Sequence, residues 1–507
     1  MTHDSDLTAR SAVELRAMIG RREISPLELM DACIARIEAL NPAINAIAAT
    51  DFERARAGAR AAQAAVMRGD TLGPLHGLPL GVKDLQDTAG LLSTSGTVSR
   101  RNHVPAHDNT LVARLRAAGA IVTAKTNVPD MGAGANTRNP VWGATGNPFD
   151  PARNAGGSSG GSAAALAVDM LPLATGSDTG GSLRIPAALC GVVGLRPSPG
   201  VVANDARPLG WSVISVLGPM ARNVADTHLM LQASTGIEPR DPLSYAEPAL
   251  AAPLAAVDLS TLRVGFTEDF GICAVDPAIR RSLRQRVAAL EALGVRCEPL
   301  ALDLADADRV FDILRAESFY AGYADTLRDA PHTLAPHVRA NIEMAGAMTL
   351  ADRAWAHLAQ TRIARRFATA FERFDLIVAP TSPVTPFPWT TLYAETVDGQ
   401  AMRNYYHWLA LTYIPTLATN PALALPCGVD EAGMPFGLQL IGPLRGDARL
   451  LAMAAALEQA FAADPALRRP KPDQQALRAP RPELCSIVTH PPGVDDGTAM
   501  TATTTAV

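Results

Sequence analysis

The sequence predicts an α/β protein. Apolar patterns of helical period alternate with short apolar strand runs from about residue 25 to residue 461, which is how helices and a sheet are laid against each other. The 507 residues are 48% hydrophobic, enough apolar side chain for a large core. Turn residues punctuate the runs, most densely between residues 156 and 197.

Taken in order, Ser25-Pro26-Leu27-Glu28 opens a helix: serine caps it, proline fits the first helical position and glutamate closes a capping box. Leu27, Met30, Ile34 and Ile37 then share one apolar face. The alanine- and arginine-rich stretch 52–68 predicts a second helix that covers one side of a core. Residues 77–84, GLPLGVKD, predict a short strand carrying Lys83 where a buried sheet favours valine. Read alone, that lysine is an edge-strand guard against aggregation. A helix over 109–118 leads into a strand over 119–125 that ends on Lys125.

Two glycine–serine turns follow, GGSSGG at 156–161 and GSDTGGS at 176–182, around an alanine-rich buried helix and an apolar strand at 171–174. Beyond them come a helix at 224–231 and a strand, helix and strand at 262–268, 279–293 and 295–300. Residues 302–375 read as helical, 374–381, 421–425 and 436–441 as strands, and 448–461 as a last helix. From 467 the composition turns to Pro, Arg, Gln and Thr and closes on TAMTATTTAV, so a domain over 1–466 is expected to be followed by a loosely ordered tail over 467–507.

Composition narrows the function. A net charge of −5 without basic runs or interleaved aromatics gives no nucleic-acid footprint. No apolar run approaches the roughly 20 residues that span a bilayer, and the polar opening MTHDSDLTAR is unlike a secretory signal, so a cytoplasmic protein is expected. Six cysteines without a C-x-x-C pair make neither a disulfide framework nor a zinc knuckle. Neither a Gly-Lys-Ser/Thr phosphate loop nor a His-Glu-x-x-His metal spacing occurs.

The serines of the two turns are candidate nucleophiles, and a serine needs a base to take its proton. Gly156-x-Ser158-x-Gly160 fits a nucleophile elbow, but an elbow follows a buried strand and residues 147–154 read as a proline-broken loop. None of the ten histidines falls in the glycine-rich segment, which makes a lysine base attractive.

Residues 156–197 resemble the defining motif of the amidase signature family of serine hydrolases, through GGSSGGS, GSDTGGS, Arg184-Ile185-Pro186-Ala187 and Cys190-Gly191-Val192-Val193-Gly194-Leu195. The similarity extends to GVKD at 81–84, Lys125-Thr126-Asn127 with Asn147-Pro148, GPMAR at 218–222 and GLQLIG at 437–442, and so covers about residues 7–462. It implies a single large domain with a central twisted mixed β-sheet covered by helices on both faces. It also implies a triad in which Ser182 is the nucleophile, Ser158, in a cis peptide with Gly157, relays the proton, and Lys83 is the ultimate base. Backbone N–H groups of Thr179, Gly180, Gly181 and Ser182 are the expected oxyanion donors, with Ser159, Asp178 and Arg184 bracing them. Lys83 must then be neutral, which burial favours, and Asp84 must face away from it, which strand alternation provides.

The function implied is cleavage of carboxamide C–N bonds through a serine acyl-enzyme, with no metal or organic cofactor. The pocket is expected from segments 128–145, 204–217 and 310–410, with Met131, Trp142 and Trp211 as its first candidates. Phe319, Tyr320, Tyr405, Tyr406 and Trp408 add apolar surface, so aryl or aliphatic amides are the expected substrates, with carbamates and esters as side reactions. The expected partners are a small-molecule amide and water, without nucleic acid or membrane, and a homodimer is left open. One alternative is the glutaminase-type A subunit of a tRNA-dependent glutamyl amidotransferase. Against it, Ile185 stands where those subunits carry glutamine, and residues 199–209 replace their tyrosine- and arginine-rich loop. A non-enzymatic binding scaffold is the other, and it would be expected to lose a triad position, whereas all three are present.

Overall fold

The structure is a computed structural model and describes residues 6–493. Its first two long helices, α1 (Ala12–Gly20) and α2 (Pro26–Ile44), both start on capping boxes, Ser11 with Glu14 and Ser25 with Glu28. Each box satisfies two backbone or side-chain donors that a bare helix end leaves open. Helix α3 (Phe52–Arg68) is capped by Asp51 and stops at Gly69, whose φ of 78° suits glycine.

Eleven strands make one mixed sheet: β1 (Ile47–Thr50), β2 (Pro79–Lys83), β3 (Ile121–Thr126), β4 (Leu173–Asp178), β5 (Val193–Arg196), β6 (Val216–Ala221), β7 (Arg263–Phe266), β8 (Arg296–Pro299), β9 (Leu376–Pro380), β10 (Ala422–Val429) and β11 (Pro435–Ile441). Their spatial order is β1-β3-β2-β4-β6-β5-β10-β11-β9-β7-β8. Two parallel blocks, β3-β2-β4 and β9-β7-β8, are joined by antiparallel strands between them.

The remaining helices among the described residues are α4 (Thr110–Ala117), α5 (Gly160–Ala167), α6 (Arg184–Cys190), α7 (Val224–Ser234), α8 (Pro277–Ala292), α9 (Ala307–Asp329), α10 (Pro336–Gly346), α11 (Leu350–Ala370), α12 (Ala410–Leu417) and α13 (Asp447–Ala462). Successive strand residues feed different cores: Leu173 and Ala221 belong to the larger apolar cluster, Ala174 and Met220 to a second one. Because alternate side chains leave a strand on opposite sides, the two clusters lie on the two faces of the sheet, and both faces are covered. The chain is thus a large single α/β domain. No helix among the described residues is long and apolar enough to cross a membrane.

Three expectations change. Lys83 is not on a sheet edge, because β2 lies between β3 and β4. Residues 147–154 are not simply a loop: Asp150–Asn154 pairs antiparallel with Gly146–Asn147 despite Pro151. The stretch expected to be loose from 467 packs onto the body over its described part. Leu477 and Leu484 are buried, Arg481 N–H donates to Pro42 O (2.9 Å), and Arg469 Nε donates to Gly191 O (2.7 Å). A few apolar and hydrogen-bonding anchors, invisible in an average composition, are enough to hold it. The body makes room as well, since a Cβ at Gly143 would lie 2.4 Å from Leu484 O. Residues 494–507 of that stretch lie outside the described residues.

Candidate active site

Strand β2 delivers Lys83 to the sheet interior, between β3 and β4, where it is fully buried. Its Nζ lies against three hydroxyls, Ser158 Oγ (2.8 Å), Ser159 Oγ (2.8 Å) and Ser177 Oγ (2.9 Å), and more loosely donates to the Ser177 carbonyl oxygen (3.3 Å). Burial brings its pKa down to about 7, against the opposing pull of the Asp178 charge. Hydroxyls can accept from an ammonium or donate to an amine, so this shell suits both protonation states.

Asp84 leaves the chain on the other side. Its carboxylate accepts from Thr94 N (3.1 Å) and Thr94 Oγ1 (2.5 Å), and Lys125 Nζ lies 3.8 Å away. The carboxylate after Lys83 is therefore engaged elsewhere and does not hold the lysine's proton.

The first glycine–serine turn runs into α5 through a cis peptide at Gly157–Ser158. Its glycines serve packing rather than ligand approach: a Cβ at Gly161 would meet Asn127 N at 2.2 Å, and one at Gly160 would meet Thr137 Oγ1 at 2.3 Å. Ser159 N–H donates to Ser182 O (3.2 Å), which ties the two turns together.

The second turn wraps around Asp178. Oδ1 accepts from Gly181 N (2.9 Å) and Arg184 Nη2 (2.8 Å), and Oδ2 accepts from Leu183 N (3.1 Å) and Arg184 Nε (3.0 Å). Arg196 Nη1 donates to the Asp178 carbonyl oxygen (2.7 Å). Burial alone would raise the Asp178 pKa, but Arg184 and Arg196 outweigh it and hold the carboxyl well below the usual carboxylate range. Arg184 continues to Thr412 O (2.8 Å) and Gln439 Oε1 (2.7 Å), so the turn is anchored to α12 and β11. Of the expected oxyanion donors, Gly181 N–H is already committed to Asp178, which leaves those of Thr179, Gly180 and Ser182.

Ser158, Ser177, Thr179, Gly180 and Ser182 share one cavity of about 390 Å³ with Met131, Phe311, Arg315 and Tyr405. Two pocket candidates are misplaced. Trp142 turns its indole Nε1 to Thr94 Oγ1 (2.8 Å) and so braces the threonine that holds Asp84. Trp211 is 78% exposed and does not line the cavity. An aromatic in a variable segment does not reveal which side of that segment it will occupy.

Sequence reasoning passed over Ser177, Arg196 and Gln86. Gln86 Nε2 donates to Gly176 O (3.1 Å), its Oε1 accepts from Thr175 Oγ1, and Thr175 Oγ1 in turn accepts from Lys83 N–H (2.9 Å). Arg196, an uncompensated charge in the apolar run between Leu195 and Pro197, was the one legible signal of the three.

The Amidase family model matches residues 28–451. The A subunit of the glutamyl-tRNA(Gln) amidotransferase of Acidothermus cellulolyticus is 36% identical over 489 residues, covering 90% of this chain and 95% of the relative. The protein of that name from Roseiflexus castenholzii is 37% identical over 476 residues, covering 89% and 95%. Among solved structures, a bacterial aryl acylamidase of the amidase signature family superposes with a TM-score of 0.83 at 26% identity, covering 93% of this chain and 99% of that one. The A subunit of the Thermotoga maritima amidotransferase, at 22% identity and a TM-score of 0.72, covers 93% of this chain and 100% of its own and shares the fold.

These relatives overturn the expected partners, a free small-molecule amide with no nucleic acid and at most a second copy of the chain. The curated ones are named as one subunit of an enzyme for glutamyl-tRNA(Gln). With the family model spanning the strand of Lys83, both glycine–serine turns and most of the sheet around them, the chain belongs to the amidase signature family.

Proposed function

We propose that the chain cleaves a carboxamide C–N bond through an acyl-enzyme on Ser182, and that it does so as the A subunit of a glutamyl-tRNA amidotransferase, releasing ammonia from glutamine for a partner. The observation that carries the assignment is the 34–37% identity to curated A subunits along most of the chain.

In this reading neutral Lys83 draws a proton from Ser158 Oγ as Ser158 takes the proton of Ser182. Ser182 Oγ then attacks the carbonyl carbon, and the oxyanion is met by N–H groups of the Thr179–Ser182 turn. Removal of one such donor typically costs on the order of 100-fold or more in rate. The proton returns through Ser158 to the leaving nitrogen, the C–N bond breaks and an ester remains on Ser182. Water, deprotonated by the same relay, cleaves that ester and frees the acid. What supports the relay is the 2.8 Å contact between Lys83 Nζ and Ser158 Oγ in a buried site where the lysine pKa is about 7.

A second reading, cleavage of aryl or aliphatic amides with slower carbamate and ester turnover, is favoured by Ile185 in place of the glutamine expected of an amidotransferase and by the likeness to the aryl acylamidase. A matched panel of glutamine, anilides, primary amides and carbamates separates the two. Turnover of glutamine above all others, accelerated by partner subunits, supports the first. Turnover of anilides with none on glutamine sinks it, and full activity in Ser182→Ala sinks both.

A further inference from the structure

The cavity holds a cation that the proposed chemistry does not use. Arg315 lines it from α9 and is only 7% exposed. Its Nη2 donates to Tyr405 Oη (2.6 Å), while its Nε is buried without a partner. No carboxylate pairs with it among the described residues. Asp312, three residues earlier on α9, is occupied by Tyr406 Oη (2.7 Å) and His407 Nε2 (2.8 Å). The rings of Phe319, Tyr405 and Tyr406 surround the guanidinium at 4.7, 5.4 and 5.0 Å. A buried charge without a counter-charge is costly, so the fold is completed by something that brings one.

Tyr405 supplies a second donor. Its Oη also accepts from Asn341 Nδ2 (2.9 Å), whose orientation is fixed because the same Nδ2 donates to His337 O (2.6 Å). With both phenol lone pairs filled by Arg315 and Asn341, the Tyr405 proton is left to be donated. Arg315 and Tyr405 thus offer one positive charge and several convergent N–H and O–H donors to the cavity, the donor set that recognises a carboxylate.

Its distance from the chemistry follows from the helix. Phe311, one turn before Arg315, packs on the nucleophile turn: a Cβ at Gly180 would lie 2.8 Å from Phe311 Cζ. Four residues advance a helix by about 6 Å, so Arg315 leaves α9 about one turn beyond Phe311, on the wall of the cavity that Ser182 also lines.

We propose that Arg315 and Tyr405 form a receptor for a carboxylate on the acyl chain of the substrate, so that this site selects anionic amides over neutral ones. The proposal rests on the reading of Ser182 as the nucleophile of this cavity. Glutamine, whose carboxylate lies a few bonds from its side-chain amide, belongs to the class it would select.

The test uses two independent measurements. In the first, glutarate is titrated into the Ser182→Ala protein by calorimetry, with pentanoate and pentanamide as comparisons. Glutarate binding that is lost on adding Arg315→Met, weakened by Tyr405→Phe and partly kept by Arg315→Lys supports the receptor. Equal binding of glutarate with and without Arg315 overturns it. In the second, kcat/KM is compared for glutaramic acid and pentanamide, amides of equal chain length with and without the charge. An anionic preference of about 100-fold, collapsing towards parity in Arg315→Met through KM, is the expected result. A preference that persists in Arg315→Met, or Arg315→Met and Arg315→Lys lowering both substrates by the same factor, overturns it and leaves a packing role. Failure of the nucleophile reading shows separately, as turnover by Ser182→Ala, and leaves the glutarate titration to judge the receptor.

Discussion

Two lysines are fully buried on neighbouring strands, Lys83 on β2 and Lys125 on β3, with Val82 and Lys125 directly paired. Burial lowers both, Lys83 to about 7 and Lys125 to about 8. They differ in company. Lys83 has hydroxyls of Ser158, Ser159 and Ser177, whereas Lys125 has the Asp84 carboxylate at 3.8 Å, the Gln86 carbonyl oxygen and Thr88 Oγ1 (3.1 Å). A hydroxyl shell lets a lysine change charge and hand protons on; a carboxylate shell fixes the charge as half of an ion pair. Burial alone therefore does not make a base, and the partners decide which buried lysine can be one.

The comparison breaks most visibly in activity. Lys83→Met should lower kcat by about 10³-fold, within the usual range for a general base, while the melting temperature stays close to that of the parent. No counter-charge is stranded when this lysine is removed, because its hydrogen-bond partners are three hydroxyls and the Ser177 carbonyl oxygen. A variant that keeps its rate, or one that loses rate only because it unfolds, would contradict the division of roles.

The mirror experiment is Lys125→Met. It leaves Asp84 buried with only Thr94 as a partner, and loss of one member of a buried pair costs about 3–5 kcal/mol. Denaturant unfolding should show that loss, and Lys125→Met combined with Asp84→Asn should recover part of it. If Lys125→Met were as stable as the parent, the pair would not be the structural element that its geometry indicates.

The two lysines also set the direction of pH effects. A lysine whose pKa is depressed in the folded state binds fewer protons than its unfolded form between the two values, so stability rises with pH there. For Lys83 that window runs from about 7 to its ordinary 10.5, and for Lys125 from about 8 to 10.5. Activity should rise through about 7 as Lys83 becomes neutral, measured as the acid limb of kcat/KM. Lys125→Met should leave that limb in place, since the titrating group is on the other strand. A limb that moved with Lys125 would assign the base to the wrong lysine.

How much of this the sequence could show differs between the two lysines in the same way. The α/β class and most helices and strands are readable because apolar period and capping chemistry are local: Ser25 and Glu28 announce the helix over Pro26–Ile44 directly, and the alanine- and arginine-rich run announces the one over Phe52–Arg68. Lys83 and the two turns were readable through a run of specific residues that resembles a known family. Lys125 is legible as a strand end and within the Lys125-Thr126-Asn127 match to the family, but its role is not, because that depends on Asp84, a neighbour in space. Strand order is equally non-local, which is why an interior lysine looked like an edge residue. The packed segment beyond residue 467 escaped for a related reason: Leu477 and Leu484 are anchored by distant parts of the chain that composition cannot see.

The smallest expected effect gives the finest test of the hydroxyl shell. Ser177 Oγ, which accepts from Lys83 Nζ at 2.9 Å, was not among the residues expected at the site. A hydroxyl that accepts from an ammonium stabilises the charged form, so Ser177→Ala should push the Lys83 pKa further down. One hydrogen bond contributes about 1 kcal/mol, somewhat less than one pKa unit. The acid limb of kcat/KM should accordingly shift to lower pH by less than a unit, with the plateau rate reduced a few-fold as the weaker base draws less strongly on Ser158. An unmoved limb would mean that Ser177 only fills space, and a shift to higher pH would mean that it donates to a lysine already neutral. Either result would leave the contrast with Lys125 resting on Ser158 and Ser159 alone.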